Sequence, residues 1–403
     1  MERTGQEDSS MKKKLVILMA LIFVLGTLTA CGGGGATDES DAEQINIGLN
    51  YELSGEVATY GSDSRDGIEL AIKEINENGG VLGGKMINLV IKDNKSDPAE
   101  ATSVAEALFT GEDVVAALGP ATSGNFRATI PSAMTHEIPI ISSSATADDD
   151  ITVDKDGNVR DFVFRTCFTD SFQGKTMAAF AKNNLSATKA VIFADNSSDY
   201  AKGLAANFKS VFTENGGTIV AEEGYMAKDK DFNAVLTKFK SMEFDVIYIP
   251  GYYQEVGLII KQARELGITA PILGGDGFDS AELVELSGKE AANDIFFSNH
   301  YSALDQDPIV QDFIKMHNEL TGKDPSAFVA MGYDLGMYIA DALERAGEVS
   351  PAALQKALAS TEEFIGVTGR FSVDENHNVV KDAVVIELQG GEQVSAVKVS
   401  VND

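Results

Sequence analysis

The chain has 403 residues, of which 44% are hydrophobic, so it is long enough for two globular domains. Acidic residues number 62 against 32 basic ones, and the formal net charge is −30 at pH 7. A surface with this charge repels nucleic acid and anionic lipid head groups, which excludes functions that depend on binding a polyanion.

The N-terminal segment has the pattern of an export signal. Three lysines at 12–14 precede an uninterrupted apolar run over residues 15–25, which is too short to span a bilayer and matches a signal-peptide core. The run ends in Leu-Thr-Ala-Cys, similar to a bacterial lipobox, with Cys31 as the residue that would be lipidated. Residues 1–30 are therefore predicted to be a signal peptide. An uncleaved anchor or an ordinary signal peptide is the alternative.

Two further expectations concern this end of the chain. Residues 1–10 carry three acids where a signal peptide has bases, so Met11 is the expected true start. Residues 31–44 contain no apolar residue that could pack and predict a flexible tether. With Cys31 lipidated, Cys167 is the only cysteine left, and no intramolecular disulfide can form.

From residue 45 onward, short apolar runs alternate with amphipathic segments, which predicts βα units on parallel sheets. The first series has strands at residues 45–51, 86–92, 114–118 and 138–141, with helices at 62–78, 97–108 and from about 125. After an acidic loop at 148–161, the second series has helices at 173–183, 200–214, 233–241 and 255–266, and strands at 189–194, 218–225, 244–250, 271–273 and 295–298. Helices at 308–321, 326–346 and 351–358 and a β-like tail from 369 complete the chain. Two α/β lobes with a cleft between them follow from the two series.

Hydroxyl side chains follow two strands of the first series. Ser123 comes after the strand at 114–118, and Ser144 and Thr146 come after the strand at 138–141. Open α/β sheets bind ligands at the carboxyl ends of their strands, and the helix expected after Ser123 would direct free N–H groups back toward its hydroxyl. These features predict a receptor for a carboxylate or a phosphate. If the two serines only cap helices or close turns, no site follows.

The strand ends of the second series add a carboxylate and aromatic rings. Asp276 stands among glycines in GGDG, and Tyr200 and Tyr252 also follow strands; Tyr60 comes from the first series. An anion receptor that faces a carboxylate across an apolar gap fits a free amino acid. Each feature has a plainer explanation, because GGDG is a common turn and Tyr252 could belong to the core or the surface. Their shared position at strand ends is what supports the prediction.

Six motifs in this order resemble the type I periplasmic (extracytoplasmic) solute-binding proteins, specifically the leucine/isoleucine/valine-binding family of ABC transporters. The motifs are LSGEVATYG at 53–61, GPATSGN at 119–125, IISSSAT at 140–146, FRTCFTDSFQG at 164–174, YIPGYYQEVG at 248–257 and GGDGF at 274–278. Each is loose alone, but six in order at fitting intervals are specific. The resemblance covers the chain from residue 45 to its end.

The resemblance implies a role for each candidate ligand-binding residue: Tyr60, Ser123, Ser144, Ala145, Thr146, Tyr200, Tyr252 and Asp276. Ser123 and Thr146 would hold the ligand carboxylate, and the carbonyl of Ser144 would accept a hydrogen bond from the ammonium. Asp276 would pair with that ammonium beside Tyr252, and Tyr60 and Tyr200 would bound the side-chain pocket. The family often has Glu where this chain has Asp276, one methylene shorter, which could shift the ligand or recruit a water. Some relatives carry a disulfide in the first lobe, which this chain cannot form.

The resemblance also implies the fold and the partners. Two Rossmann-like lobes with parallel central sheets would be joined by a hinge of three crossovers near Arg165, Asn299 and Lys381. Lobe 1 would comprise residues 45–165 and 299–380, and lobe 2 residues 166–298 and 381–403. The expected partners are an amino-acid ligand, the membrane subunits of an ABC permease and the membrane itself through the lipid anchor. We expect a monomer without cofactor, metal or nucleic acid.

An enzyme is the main alternative, because α/β lobes with clefts also house catalysts. No GxGxxG follows the first strand and no GxSxG elbow occurs. Cys167 has no histidine near it in sequence, and the four histidines, at 136, 300, 317 and 377, lack metal-ligand spacing.

Two further functions are compatible with a two-lobed binding fold. One is a ligand sensor, and the other is a transporter subunit for small amides, urea or aromatic acids. The choice of ligand depends on how the aromatic side chains around the pocket pack, namely Tyr60, Phe168, Phe172, Tyr200 and Phe278. Repressors that share the fold have a DNA-binding segment where this chain has the predicted signal peptide.

Overall fold

The structure is a computed structural model and describes residues 43–399. The predicted signal peptide, the lipidation of Cys31 and the tether lie outside the described residues. Between residues 43 and 399, no helix combines the length and the apolar character needed to cross a membrane.

The first half of the described chain forms a parallel sheet, sheet A, with five strands in the order β2-β1-β3-β4-β5. The strands are β1 (Gln44–Tyr51), β2 (Met86–Asp93), β3 (Ala116–Leu118), β4 (Ile140–Ser142) and β5 (Val163–Arg165), and the helices between them are α1 (Ala58–Glu77), α2 (Pro98–Gly111) and α3 (Ser123–His136). Leu49 pairs with Leu118, which in turn pairs with Ile141. The chain therefore leaves β1, β3 and β4 at the same edge of the sheet.

Sheet B has seven strands in the order β15-β14-β10-β9-β8-β6-β7, and only its last two strands in sequence, β14 and β15, run antiparallel to their neighbours within the described chain. The strands are β6 (Lys189–Asp195), β7 (Thr218–Tyr225), β8 (Val246–Tyr248), β9 (Ile272–Gly274), β10 (Ile295–Asn299), β14 (Ala383–Gln389) and β15 (Glu392–Val399). The accompanying helices are α4 (Asp170–Asn183), α5 (Asp199–Glu214), α6 (Asn233–Lys240), α7 (Tyr253–Glu265) and α8 (Ala281–Ser287).

The segment between β10 and β14 returns to the side of sheet A. It contains α9 (Pro308–Thr321), α10 (Ala327–Ala346), α11 (Pro351–Ala359) and a small antiparallel sheet of β11 (Phe364–Gly366), β12 (Gly369–Val373) and β13 (Val379–Val380). Helix α10 packs closely on α1. A Cβ at Gly332 would lie 2.1 Å from the carbonyl oxygen of Ser64, and one at Gly67 would lie 2.1 Å from that of Val329.

Buried polar residues stand where the described chain passes between the two sheets: Arg165 at the end of β5, Asn299 at the end of β10 and Lys381 before β14. The Arg165 guanidinium donates to the Asn378 side chain at 2.6 Å, which ties the first passage to the third. Lys381 Nζ donates to the Thr368 hydroxyl at 2.7 Å. The first of these hydrogen bonds links two crossovers, and both compensate the burial of a cation.

The predicted α/β class with parallel central sheets is confirmed, while several element bounds and some short elements differ from the prediction. Helix α3 begins at Ser123, two residues before the expected start. Strand β5, with three residues, and helix α8, with seven, were not predicted. Elements this short contain less than two turns or two strand periods, so they leave no periodic pattern in the sequence.

We predict that Gly332→Ala destabilises the protein because the added methyl group collides with the backbone of α1. A clash that neither backbone can relieve without moving a helix should lower the free energy of unfolding by about 1–3 kcal/mol. Urea denaturation followed by circular dichroism measures the change. The matched control is Gly111→Ala at the end of α2, where no atom lies within 4 Å of the new Cβ. Equal denaturation midpoints for the two variants would contradict the close α1–α10 contact.

Candidate functional site

A small cavity lies between the carboxyl ends of the strands of the two sheets. The residues that line it from the sheet A side are Tyr60, Ala121, Thr122, Ser123, Ser144 and Phe328, and those from the sheet B side are Tyr200, Tyr252, Asp276 and Gly277. Six of the eight predicted ligand-binding residues are therefore brought together around one space. Parallel strands of two sheets direct their following loops toward each other here, which is where open α/β sheets bind ligands.

The loop after β3 owes its position to a buried carboxylate, Glu52, directly after β1. Glu52 accepts hydrogen bonds from the backbone N–H groups of Ala121 (3.0 Å) and Thr122 (3.1 Å), from the Thr122 hydroxyl (2.8 Å) and from the Asn125 amide (2.8 Å). It thereby binds the N-terminal end of α3, where a negative charge is stabilised by the free N–H groups. Glu52 was not among the predicted residues, although its place at the end of β1 is a signal that could have identified it.

The two hydroxyl-bearing loops are fastened to each other. Ser123 Oγ accepts from the backbone N–H of Ala147 at 3.1 Å, and Ser144 Oγ donates to the carbonyl of Ala121 at 2.9 Å. The expectation that the Ser123 hydroxyl meets the N–H groups of its own helix is wrong, because Ser123 is itself the first residue of α3 and its hydroxyl accepts from Ala147 on the neighbouring loop. The hydroxyl is thus fixed at the cavity wall by the neighbouring loop.

Ala145 and Thr146 lie behind this wall rather than at the surface of the cavity. Both are buried; the carbonyl of Ala145 accepts from Arg165 at 3.2 Å, and the carbonyl of Thr146 accepts from the N–H of Asp170 at 2.9 Å. The Thr146 hydroxyl makes no hydrogen bond with residues 43–399. The predicted contacts of these two residues with a ligand stay predictions.

Asp276, on the opposite wall, is held by two donors on one of its oxygens. The residue is 3% exposed, and its Oδ1 accepts from the Tyr200 hydroxyl at 2.8 Å and from the Gln173 amide at 3.1 Å. Gln173 Oε1 in turn accepts from the N–H of Asp276 at 3.1 Å and from the Ser298 hydroxyl at 2.7 Å. The carboxylate therefore has a fixed orientation.

The second oxygen of Asp276, Oδ2, lies 3.4 Å from Nε2 of His300. Burial lowers the pKa of His300 to about 4, so the imidazole is neutral at pH 7 in this conformation. Burial, followed by the neighbouring Asp276, raises the pKa of Tyr200 well above its usual value, so its hydroxyl remains a donor. Gln173 and His300 were not predicted; Gln173 lies in the FRTCFTDSFQG motif, and His300 directly follows β10.

Aromatic rings form the remaining walls. Tyr60 stacks on Phe328 with ring centroids 4.4 Å apart, and Tyr200 stacks on Tyr252 at 5.3 Å. Phe328 comes from α10, far away in sequence, and no local pattern points to it. Phe168, Phe172 and Phe278, which were expected to influence pocket selectivity, do not line the cavity. Phe168 instead stacks on His300 with centroids 3.6 Å apart.

Several contacts join the two sides of the cavity. The Tyr60 hydroxyl donates to the carbonyl of Gly277 at 2.5 Å and accepts from the N–H of Tyr253 at 3.3 Å. At the rim, Arg127 on α3 forms an ion pair with Asp199 on α5. The described structure is therefore a closed form, in which hydrogen bonds cross from the sheet A side to the sheet B side.

Metal binding and thiol chemistry have little support in the described part of the chain. No group of three or more His, Cys, Asp and Glu residues among residues 43–399 is placed to hold a metal ion. Cys167 is buried, and burial raises the pKa of its thiol to about 12, so it is not a thiolate at neutral pH. Two α/β sheets that enclose a small cavity, with hydroxyls on one wall and a carboxylate on the other, define a small-molecule binding protein.

Comparison with known proteins specifies this class. The sequence profile of the periplasmic binding protein family matches residues 44–393, and the chain belongs to this family. The resemblance drawn from the six motifs is thereby confirmed. The Leu/Ile/Val-binding protein BraC3 of Rhizobium johnstonii is 30% identical over 356 residues, which cover 87% of this chain and 94% of that protein.

Two solved structures are similar to this one. LivJ, the branched-chain amino acid transporter substrate binding protein of Streptococcus pneumoniae in complex with isoleucine, shares 41% sequence identity, with a TM-score of 0.84 over 89% of this chain and 99% of that chain. The leucine binding protein LivK of Thermotoga maritima shares 34% identity, with a TM-score of 0.81 over 88% and 99% of the two chains.

We predict that Tyr60→Phe lowers the free energy of unfolding by about 1–3 kcal/mol, because it leaves two buried backbone groups without their partner. Urea denaturation of the ligand-free protein measures the effect. Tyr301→Phe is the control, since the buried Tyr301 hydroxyl makes no hydrogen bond within residues 43–399. Equal effects of the two substitutions would mean that the link across the cavity does not form without ligand.

Proposed function

We propose that this chain is the extracytoplasmic substrate-binding subunit of an ABC importer and that its substrate is a free branched-chain amino acid. The observation that carries the proposal is that the Asp276 carboxylate and the hydroxyl loops at Ser123 and Ser144 line the same aromatic-walled cavity. An α-amino acid has an anionic and a cationic group on one carbon, together with a side chain. A cavity with these three kinds of wall suits a ligand of that chemistry.

The relatives support the choice of substrate. LivJ was solved with isoleucine, LivK is a leucine binding protein, and BraC3 is a Leu/Ile/Val-binding protein. An aromatic acid offers no ammonium, so its binding would leave the Asp276 carboxylate buried without a cationic partner. Small amides and urea offer no carboxylate for the hydroxyl loops. The combination of hydroxyl loops, the Asp276 carboxylate and aromatic rings around the cavity thus favours an amino acid over these ligands.

Each cavity residue takes a role in this proposal. Ser123 and the N–H groups near Thr146 receive the carboxylate, and the Ser144 carbonyl and Asp276 receive the ammonium. Ala145, between Ser144 and Thr146, contributes backbone only. Tyr60, Tyr200, Tyr252 and Phe328 enclose the aliphatic side chain, which is apolar and gains from leaving water. The role is binding without catalysis, since no step requires a nucleophile, a metal or a cofactor.

Transport requires that the binding protein releases its ligand, and a hinge between two lobes would allow this. The two sheets correspond to two lobes, 45–165 with 299–380 and 166–298 with 381–403, and the crossovers near Arg165, Asn299 and Lys381 form the hinge. A ligand that contacts both lobes favours the closed form by its additional contacts there. The membrane subunits of the permease then recognise the closed form and take up the ligand. The protein acts as a monomer outside the cytoplasm, held to the membrane by a lipid on Cys31.

The proposal is tested by calorimetric titration and thermal denaturation of residues 32–403 with leucine, isoleucine and valine. Urea, acetamide and benzoate are measured alongside. We expect binding of the branched-chain amino acids, and a raised melting temperature that corresponds to about 2.7 kcal/mol at a hundred times the dissociation constant. Binding of benzoate or the amides alone would overturn the assignment of the ammonium to Asp276.

We predict that Asp276→Asn weakens amino-acid binding by about 2–5 kcal/mol, because the ammonium loses its charged partner inside a desolvated cavity. The asparagine has the same shape, so the walls of the cavity stay in place. Asp195→Asn is the control, because Asp195 is similarly buried, accepts from Ser197 and does not line the cavity. Titration calorimetry gives both affinities. Unchanged affinity in the Asp276 variant would refute its role.

We predict that Cys31→Ser releases the protein from the membrane fraction, because a serine cannot receive the thioether-linked lipid. Expression of the full chain, cell fractionation and immunoblotting measure the distribution. Cys167→Ser serves as the control, since Cys167 is buried in the folded part and should not affect fractionation. A Cys31 variant that still sediments with membranes would contradict the lipid anchor.

A further inference from the structure

A buried histidine lies directly behind the Asp276 carboxylate, on the side away from the cavity. His300 follows β10, its side chain has no exposed surface, and its Nε2 lies 3.4 Å from Asp276 Oδ2 with an alignment too poor for a hydrogen bond. Neither ring nitrogen has a hydrogen-bond partner among residues 43–399. Buried polar groups are usually paired, because leaving one unpaired costs free energy. The unpaired imidazole therefore requires an explanation.

The position of His300 is well determined by packing. Its ring lies on that of Phe168, with 3.6 Å between centroids and 11° between planes. Gln173 and Tyr200 already occupy Oδ1 of Asp276, so Oδ2 is the oxygen that faces His300. A small movement of the imidazole would convert the 3.4 Å approach into a charge-assisted hydrogen bond once the ring is protonated.

The charged groups around His300 act in opposite directions. Asp276 favours protonation of the imidazole, and the ammonium of Lys381, on the segment before β14, opposes it. Lys381 is itself held by Thr368 and attracted by the buried Asp334. On the side away from Asp276, His300 lines a groove between the second and third crossovers, together with the charged residues Asp305, Asp307, Arg370, Lys381, Asp382 and Lys398.

We propose that His300 is a positioning residue that competes with the ligand for Asp276: its imidazolium pairs with the carboxylate in the empty, open protein, and the ligand ammonium displaces that proton to solvent. The inference rests on the proposed function, because it requires a ligand with an ammonium group. In the closed form, burial removes water from the imidazole and favours its neutral state. In the open, empty protein Asp276 has no ligand ammonium beside it, which favours the imidazolium.

The direction of the pH dependence follows from this exchange. Burial lowers the pKa of His300 to about 4 in the closed form, and the proposal requires a higher pKa in the open form. Between those two values the open protein binds one more proton than the closed complex. Ligand affinity therefore increases with pH across this window, by at most about ten-fold per pH unit for one proton. Above the pKa of the open form the affinity no longer depends on His300.

The first experiment is calorimetric titration of wild type, His300→Gln and His377→Gln with isoleucine between about pH 5 and pH 7.5, in buffers of different ionisation enthalpy. His377 is the matched control, because it is also buried, stacks on Phe164 and has a pKa lowered by burial, but its ring hydrogen-bonds to backbone carbonyls. In wild type and His377→Gln, we expect that binding releases a proton and that affinity falls as the pH is lowered. Both effects should be lost in His300→Gln. Wild type without proton release, or an unchanged pH dependence in His300→Gln, would overturn the inference.

A second experiment needs no ligand. Nuclear magnetic resonance titration of the His300 ring in ligand-free wild type and Asp276→Asn compares its pKa with and without the carboxylate. We expect a lower pKa in the variant, because the imidazolium loses its anionic partner. The same pKa in both would overturn the pairing. If no amino acid binds while the pKa still falls in Asp276→Asn, the proposed function fails and the pairing of His300 with Asp276 stands.

Discussion

Two buried carboxylates, one on each side of the cavity, determine how this site is built. A buried carboxylate costs several kcal/mol unless donors surround it, so the chain must bring donors to each. Glu52 has four, all from the first residues of the loop after β3 and the start of α3. Asp276 has two on Oδ1, while Oδ2 faces only an imidazole that does not hydrogen-bond to it. The satisfied carboxylate stabilises the architecture, and the incompletely satisfied one is available to a ligand.

The difference between the two carboxylates explains why residues distant in sequence affect the same site. Gln173 on α4 and Ser298 on β10 fix the orientation of Asp276, although neither lines the cavity. On the opposite wall, Ser144 and Ala147 attach the loop after β4 to the loop after β3. Each wall is thereby rigid within its own side. The contacts that would break on ligand release are those between the two sides, such as the contacts of Tyr60 and Arg127.

The crossovers between the two sheets and the cavity are also physically connected. His300 lies between Asp276 and a groove that includes Lys381, and Lys381 stands at the third crossover. A change of charge at His300 therefore acts on Asp276 and on the third crossover at the same time. Binding proteins that deliver their ligand must hold it strongly enough to close and weakly enough to release it. A titratable group in this position offers a way to adjust that balance with pH.

The sequence by itself determined the α/β class, the two βα series and six of the residues that surround the cavity. The reason is local: strand ends in a parallel sheet fall at one edge, so hydroxyl residues, Asp276 and the tyrosines could be placed from periodicity and motif order. The length of α3 and the presence of β5 and α8 were not predicted, because caps from distant residues and very short elements leave no periodic signal. The tertiary structure alone decided the contacts between elements far apart in sequence. Parallel strands and packed helices bring Glu52 to α3, Phe328 to Tyr60 and His300 to Asp276, and the local sequence around these residues does not specify which of them meet.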